Sequence, residues 1–198
     1  MPNSVLEDLQ ARLSATRREV EDEFEAQLAA QRERFRYTLQ RGRVRFEREV
    51  RDLHRRYRKG LLKYIIGARL GFILSAPLIY GLIVPLVFLD LAVTLYQQVC
   101  FRIYGIPLVR RGDHIVIDRQ HLAYLNGIEK LNCIYCGYAN GMIAYVREIA
   151  GRTEQFWCPI KHARRTVAPH DHVETFFDYG DAEAYHSGLK DVRKQWKD

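Results

Sequence analysis

Three cysteines and one histidine in the C-terminal half of the chain have the spacing of a metal site. Cys133 and Cys136 form a C-x2-C pair, and Cys158 and His162 form a C-x3-H pair after 21 intervening residues. Three thiolates and one imidazole suit tetrahedral zinc, and a site with four protein ligands is structural, not catalytic. The spacing therefore predicts a zinc-stabilised domain, with iron or an iron–sulfur cluster as the alternative cofactor.

The same thiols allow two other interpretations. A dithiol at Cys133 and Cys136, with Cys158 nearby, would serve disulfide exchange or electron transfer. Cysteines also occur as small buried apolar residues with no chemistry. Two local features favour metal binding: Gly137 permits a tight backbone after the second thiol, and Pro159 suits the first turn of a helix beginning near Cys158.

A second group of donor side chains follows, at His170, Asp171, His172 and Glu174. Nothing nearby in the sequence completes a metal shell around them, so the pattern favours a solvated loop over a second metal site. The tail from Asp181 to Trp196 has a capping residue followed by amphipathic spacing, which predicts a capped helix with an aromatic residue at its end.

Motifs that carry catalysis are missing from the sequence. We find no phosphate-binding Gly-rich loop, no Gly-x-Ser-x-Gly elbow and no His-Glu-x-x-His pair. No two carboxylates have a spacing that indicates general acid–base work. We therefore assign no catalytic residue, and the sequence favours a protein that is not an enzyme.

The apolar residues are concentrated in the middle of the chain. From Leu70 to Leu89 there are 20 residues without a charge, and a further uncharged stretch from Leu91 to Phe101 follows Asp90. About 20 apolar residues are enough to cross the hydrocarbon core of a bilayer. This length predicts a membrane segment and disfavours a buried helix of a soluble domain.

Basic residues flank this segment on both sides. The positive-inside rule then places both polar ends in the cytoplasm. That arrangement requires a helical hairpin, with arms near 61–83 and 86–104, which we favour over a single crossing. Arg69 and Asp90 lie about equally far from the turn between these arms, and are predicted to form a charge pair inside the membrane.

An apolar stripe of helical period runs through the first sixty residues. Its members recur about every 3.6 residues, which predicts one nearly straight amphipathic helix from Ser4 to Arg58, with Gly42 as its weak point. An isolated helix would leave this stripe in water, so we expect it to bind a second copy of the chain or another helical protein. The stripe residues are Leu13, Val20, Phe24, Leu28, Phe35, Leu39 and Phe46.

Positive charge is concentrated beside the membrane segment. Residues 32–59 contain 12 basic and 4 acidic side chains, a net charge of +8, within a chain whose total is +7. Anionic lipid attracts such a stretch by about 1 kcal/mol per basic residue near the surface. Nucleic acid is the less favoured partner, because the arginines are interleaved with acids and adjoin the apolar segment.

One stretch has a recognisable likeness. The sequence YLNGIEKLNCIYCGYANGMIAYVREIAGRTEQFWCPIKHARR, residues 124–165, resembles a segment of uncharacterised bacterial membrane proteins. The likeness covers about a fifth of the chain. It implies a bacterial inner-membrane setting and implies no activity.

Together these patterns predict a mainly α chain in three parts. Residues 1–60 form the charged amphipathic helix, 61–109 the membrane segment, and 110–198 a cytoplasmic Cys/His metal-binding domain of α(+β) type. The expected function is that of a membrane-anchored structural or adaptor protein. The alternative is a membrane-tethered redox or electron-transfer protein that uses Cys133, Cys136 and Cys158.

Overall fold

A computed structural model describes residues 2–40, 43–164 and 166–196. The chain is 72% helical and 4% strand, which confirms the predicted mainly α class. It divides into two units, residues 1–60 with 121–126, and residues 61–120 with 127–198. The predicted membrane segment and most of the predicted C-terminal domain therefore belong to one unit.

The N-terminal unit contains two helices with a β-hairpin between them. The elements are α1 (Pro2–Arg34), β1 (Tyr37–Gln40), β2 (Arg43–Phe46) and α2 (Arg48–Arg56). The strands are antiparallel, with Tyr37 opposite Phe46. The prediction of one helix from Ser4 to Arg58 is therefore wrong beyond the end of α1.

The break has a local cause at Arg36. Its φ of 49° lies in the left-handed region, which a continuing α-helix cannot contain. Next come strand-favouring residues, and Phe46 packs on Tyr37 and His54 with ring centroids 5.4 and 5.2 Å away. The stripe residues Leu39 and Phe46 are seven positions apart, a spacing that is compatible with one face of this hairpin as well as with a helix. Gly42, the predicted weak point, lies outside the described residues.

The second unit begins with the apolar segment. After α3 (Leu61–Ile66) come α4 (Leu70–Gly81), α5 (Ile83–Tyr96), a π-helical turn (Gln97–Phe101) and the short α6 (Arg102–Tyr104). Among the described residues, one helical run, the 35 residues from Leu70 to Tyr104, is long and apolar enough to cross a membrane.

The predicted hairpin does not form within this run. Leu82, between α4 and α5, keeps right-handed helical angles of −63° and −15°, so the chain continues forward instead of turning back. Pro85 has no amide hydrogen to donate to the carbonyl of Gly81, which accounts for the small interruption. Proline and glycine at this point therefore produce an irregularity in a helix and not a turn.

The chain reverses after α6 and runs back along the helices. Gly105 ends the helical run with a φ of 73°. The returning segment contains α7 (Arg111–His114) and continues through residues 115–118, which are outside any helix or strand. A Cβ at Gly141 would lie 2.6 Å from the carbonyl oxygen of His114. Glycine is required there because two backbones meet.

Helix α8 (Gly127–Trp157) runs alongside α4 and α5 in the same direction. Contacts between α8 and the run from Leu70 to Tyr104 occur in the same order along both. In order, they join Tyr80 to Asn132, Asp90 to Tyr138, Thr94 to Tyr145, Tyr96 to Thr153, and Tyr104 to Phe156.

The core of the unit lies where these helices meet the returning segment. A final helix, α9 (Ala182–Lys194), begins after Asp181, whose carboxylate accepts a hydrogen bond from the Ala184 amide at 2.9 Å. This confirms the predicted capped helix. Trp196 packs against the core cluster, which comprises Phe101, Ile106, Val109, Tyr145 and Ile149.

Candidate functional site

Helix α8 separates the two halves of the predicted zinc site. Cys133 and Cys136 lie on α8, whereas Cys158 follows its last residue. Cys136 and Cys158 are separated by 22 positions, which correspond to about 33 Å along a helix axis, compared with a zinc–sulfur bond of about 2.3 Å. The structure therefore does not bring Cys133, Cys136, Cys158 and His162 together. Within the described residues, no group of three His, Cys, Asp or Glu side chains is placed to hold a metal.

The second half-site also differs locally from its prediction. Cys158 and His162 are not on a helix, because the chain forms an isolated bridge between Ile160 and Phe177. Burial, together with the nearby Glu154 carboxylate, raises the pKa of the Cys158 thiol. The neutral thiol that results is less nucleophilic than the thiolate of a reactive cysteine.

We expect Cys136→Ser and Cys158→Ser to act independently and to leave the melting temperature of the chain unchanged. The two thiols lie too far apart to share one ion. Circular dichroism melts and zinc analysis of the wild type and both variants provide the measurement, with Cys100→Ser as a control outside the predicted ligand set. Loss of zinc and a lower melting temperature in both variants would show that the four ligands converge.

Asp90 is the centre of a charged cluster on the apolar helix, and it is only 7% exposed. Arg111 donates to both carboxylate oxygens, with its Nε 3.3 Å from Oδ1. The hydroxyl of Tyr138 donates to Oδ2 at 2.8 Å, and that of Thr94 to Oδ1 at 3.4 Å. Asp90 is therefore paired, but not with the predicted Arg69, which lies 21 residues earlier, immediately before the helical run begins.

Buried polar groups extend this cluster toward the returning segment. Gln97, only 2% exposed, accepts from the Val109 amide at 3.0 Å and donates to the hydroxyl of Tyr145. That hydroxyl lies 3.5 Å from the hydroxyl of Thr94, beside Asp90. One hydrogen-bonded network thus joins α5, the π-helical turn, the returning segment and α8.

The donors to Asp90 keep their protons. The hydrogen bond to Asp90 raises the pKa of Arg111, and burial, with the same carboxylate, raises the pKa of Tyr138. The sequence signal for Arg111 was weak, because it was one of several basic residues after the apolar segment. Tyr138 had no signal at all, since its contact depends on how α8 packs.

His170 and His172 pack against α8, so the prediction of a solvated loop is wrong for both. Their side chains are 16% and 18% exposed. The Nε2 atom of His170 lies 2.7 Å from Glu154, and that of His172 lies 3.1 Å from Glu148. Gly151 makes room for the two rings, because a Cβ there would be 3.0 Å from each. These contacts attach the segment after Cys158 to the helix.

The contact between His172 and Glu148 makes the stability of the fold depend on pH. Burial alone would raise the pKa of Glu148, but hydrogen bonds from Arg152 at 2.7 Å and from His172 lower it overall. A carboxyl group with a lowered pKa stabilises the fold above its ordinary pKa, about 4.3, and that contribution is lost as the pH falls through the folded-state value.

We therefore expect the melting temperature of the wild type to fall more steeply below about pH 4.3 than that of Glu148→Gln. Melting curves between about pH 3 and 6 measure the difference. Glu174→Gln, which changes an exposed carboxyl group nearby, is the matched control and should follow the wild type. Parallel curves for all three proteins would show that Glu148 does not have a lowered pKa in the fold.

A groove of about 670 Å³ lies between α3 and α4 on one side and the start of α8 on the other. Its lining includes Phe72 and Leu131, together with Cys136. The hydroxyl of Tyr80 donates to Asn132 across it. Cys136, predicted as a metal ligand, is thus part of an apolar wall.

Comparisons of this chain with protein-family models, with curated proteins and with solved structures give no significant match. The described residues form an exposed N-terminal helix, an apolar helical run, a charged cluster on that run and an apolar groove.

Proposed function

We propose that this chain is a membrane-anchored adaptor whose N-terminal helix binds a second copy of the chain or another helical protein. One observation carries the proposal: apolar side chains on α1 are largely exposed. Leu13 is 64% exposed, Val20 60% and Phe24 59%. Burying a Leu, Val or Phe side chain contributes about 1.5–3 kcal/mol each, so pairing of this face with another helix is strongly favoured.

The assembly surface is shorter than the predicted stripe. Leu13, Val20, Phe24 and Leu28 lie on α1 at helical spacing, whereas Phe35, Leu39 and Phe46 come after α1 ends. The surface proposed for assembly therefore comprises the four α1 residues.

The helical run from Leu70 to Tyr104 supplies the proposed anchor, in a bacterial inner membrane. Residues 55–69 contain six basic side chains and residues 102–111 contain three, which favours a cytoplasmic N-terminal end. The predicted hairpin with two cytoplasmic ends would require a turn within the apolar run, whereas the run continues forward past Leu82. Large apolar side chains remain exposed along the run, among them Leu74, Leu78, Phe88, Leu95 and Ile103.

We expect the double substitution of Phe24 and Leu28 by aspartate to convert the assembled protein to monomers. Two carboxylates would have to be desolvated in the helix–helix interface, which costs several kcal/mol. Sedimentation in detergent measures the mass. Substituting Ala26 and Ala30 by aspartate adds the same charges at the same spacing on the opposite face of α1, and should leave the mass unchanged. Equal masses for both double variants would exclude this surface.

The redox alternative now involves only Cys133 and Cys136, which lie three residues apart on α8. Side chains at this spacing share one face of a helix. Metal analysis and an absorption spectrum of the purified protein separate the two functions. Iron, a coloured centre or a titratable disulfide at these thiols would favour the redox function over the adaptor.

A further inference from the structure

We infer that the groove between α4 and α8 binds one phospholipid with an anionic head group, its acyl chain lying along α4. The inference depends on the proposed membrane anchoring, because α4 must be exposed to lipid. The groove's volume of about 670 Å³ falls within the range of small-molecule sites.

The lining selects a hydrocarbon occupant. None of the residues that form it carries a charge, and most are aliphatic or aromatic. Tyr80 and Asn132 bond to each other, and the Ser75 hydroxyl donates to the carbonyl of Phe72 at 3.1 Å. These polar groups already have partners, so a strongly polar ligand would find few groups to bind inside the groove.

The position of α4 gives such an occupant access. Helix α4 begins the apolar run, and none of the residues of α4 is buried. Phe72 is 65% exposed, although it also lines the groove. A groove with one wall open in this way is filled from the bilayer, where acyl chains are the solvent.

The net charge of the segments that supply the lining favours an anionic head group. The segments that supply the lining, residues 61–80 and 127–136, contain three basic residues and one acidic residue, a net charge of +2. Lys63 precedes the lining residue Tyr64, Arg69 follows Ala68, and Lys130 precedes Leu131. A lipid phosphate that carries net negative charge is complementary to the net charge of these segments, whereas a zwitterionic head group is less so.

The test uses the full chain, delipidated in detergent and then incubated with vesicles of phosphatidylglycerol or of phosphatidylcholine. Native mass spectrometry counts the retained phospholipid. We expect one phosphatidylglycerol molecule per chain, retained at least fivefold more than phosphatidylcholine. Substituting Lys63, Arg69 and Lys130 by glutamine should abolish that preference. The same change at Arg102, Arg110 and Lys190 is the matched control and should preserve it.

A second pair of variants tests the groove itself. Ala76→Trp fills it, because Ala76 lines the groove, whereas Ala92→Trp adds the same ring to an exposed position on α5. Lipid retention should fall at least fivefold in the first and stay at the wild-type level in the second. Equal retention by the two variants, equal binding of the two lipids, or a change of oligomeric mass in Ala76→Trp would overturn the inference.

Extraction of cell membranes with alkaline carbonate is measured on the same proteins. It reports the proposed anchoring separately from lipid retention. Anchored protein that retains no lipid overturns the lipid site alone. Release of the wild-type chain from the membrane overturns the anchoring, and the lipid site with it.

Discussion

Replacing Arg111 with glutamine is expected to lower the free energy of unfolding of the second unit by about 3 kcal/mol. The variant leaves Asp90, which is 7% exposed, without its charged partner. Breaking a buried pair by removing one partner costs about 3–5 kcal/mol, and the lower end applies because the Arg111 side chain is 50% exposed. Denaturant unfolding in detergent micelles measures the loss.

The neighbouring Arg110→Gln is the matched control, since it removes the same charge from an exposed position one residue earlier. It should change the unfolding free energy by less than about 0.5 kcal/mol. Adding Asp90→Asn to Arg111→Gln should recover part of the lost stability, because no unpaired charge is then left in the apolar helix. Equal losses in the two arginine variants would show that the pair is not structural.

Alanine at Gly141 is expected to destabilise the second unit by about 1–3 kcal/mol, although alanine is the better helix former. The added Cβ would lie 2.6 Å from the His114 carbonyl oxygen and 2.7 Å from the Ile115 Cα. Both are backbone atoms, so the returning segment must move away from α8 to make room. Thermal unfolding in detergent followed by circular dichroism measures the effect.

Two other glycines on α8 provide a graded comparison. At Gly137 the nearest atom to an added Cβ is the Val116 carbonyl oxygen at 3.0 Å, and at Gly127 nothing lies within 4 Å. Alanine at Gly137 should therefore cost less than at Gly141, and alanine at Gly127 should be neutral or stabilising. An increase in stability at all three positions would mean that the returning segment does not pack on α8.

Features decided within a few residues were predictable from the sequence. The Asp181 cap and the helix after it depend on one side chain and the amide three residues later, and both are present. The apolar run was equally evident, because its length and composition need no tertiary information. The course of the chain within this run could not be predicted, because Pro85 is compatible with a turn and with a mildly interrupted helix.

Features that depend on distant contacts were not predictable. The spacing of Cys133 and Cys136 fits a metal knuckle and also one turn of a helix, and only the course of the chain toward Cys158 distinguishes them. That course is the continuous helix α8. Likewise, an acidic residue in an apolar segment predicts a cationic partner. Asp90 pairs with Arg111 and not with Arg69 because the chain reverses at Gly105.

The position of Asp90 along the helix has a consequence for bilayers of different thickness. From Leu70 to Asp90 the helix rises about 30 Å, the thickness of a typical hydrocarbon core. Asp90 cannot slide into that core without taking Arg111 and Tyr138 with it. On the proposed anchoring, hydrophobic mismatch must be absorbed by tilting of the helix or deformation of the lipid. The network around Asp90 would thus stay at a constant height relative to the membrane surface.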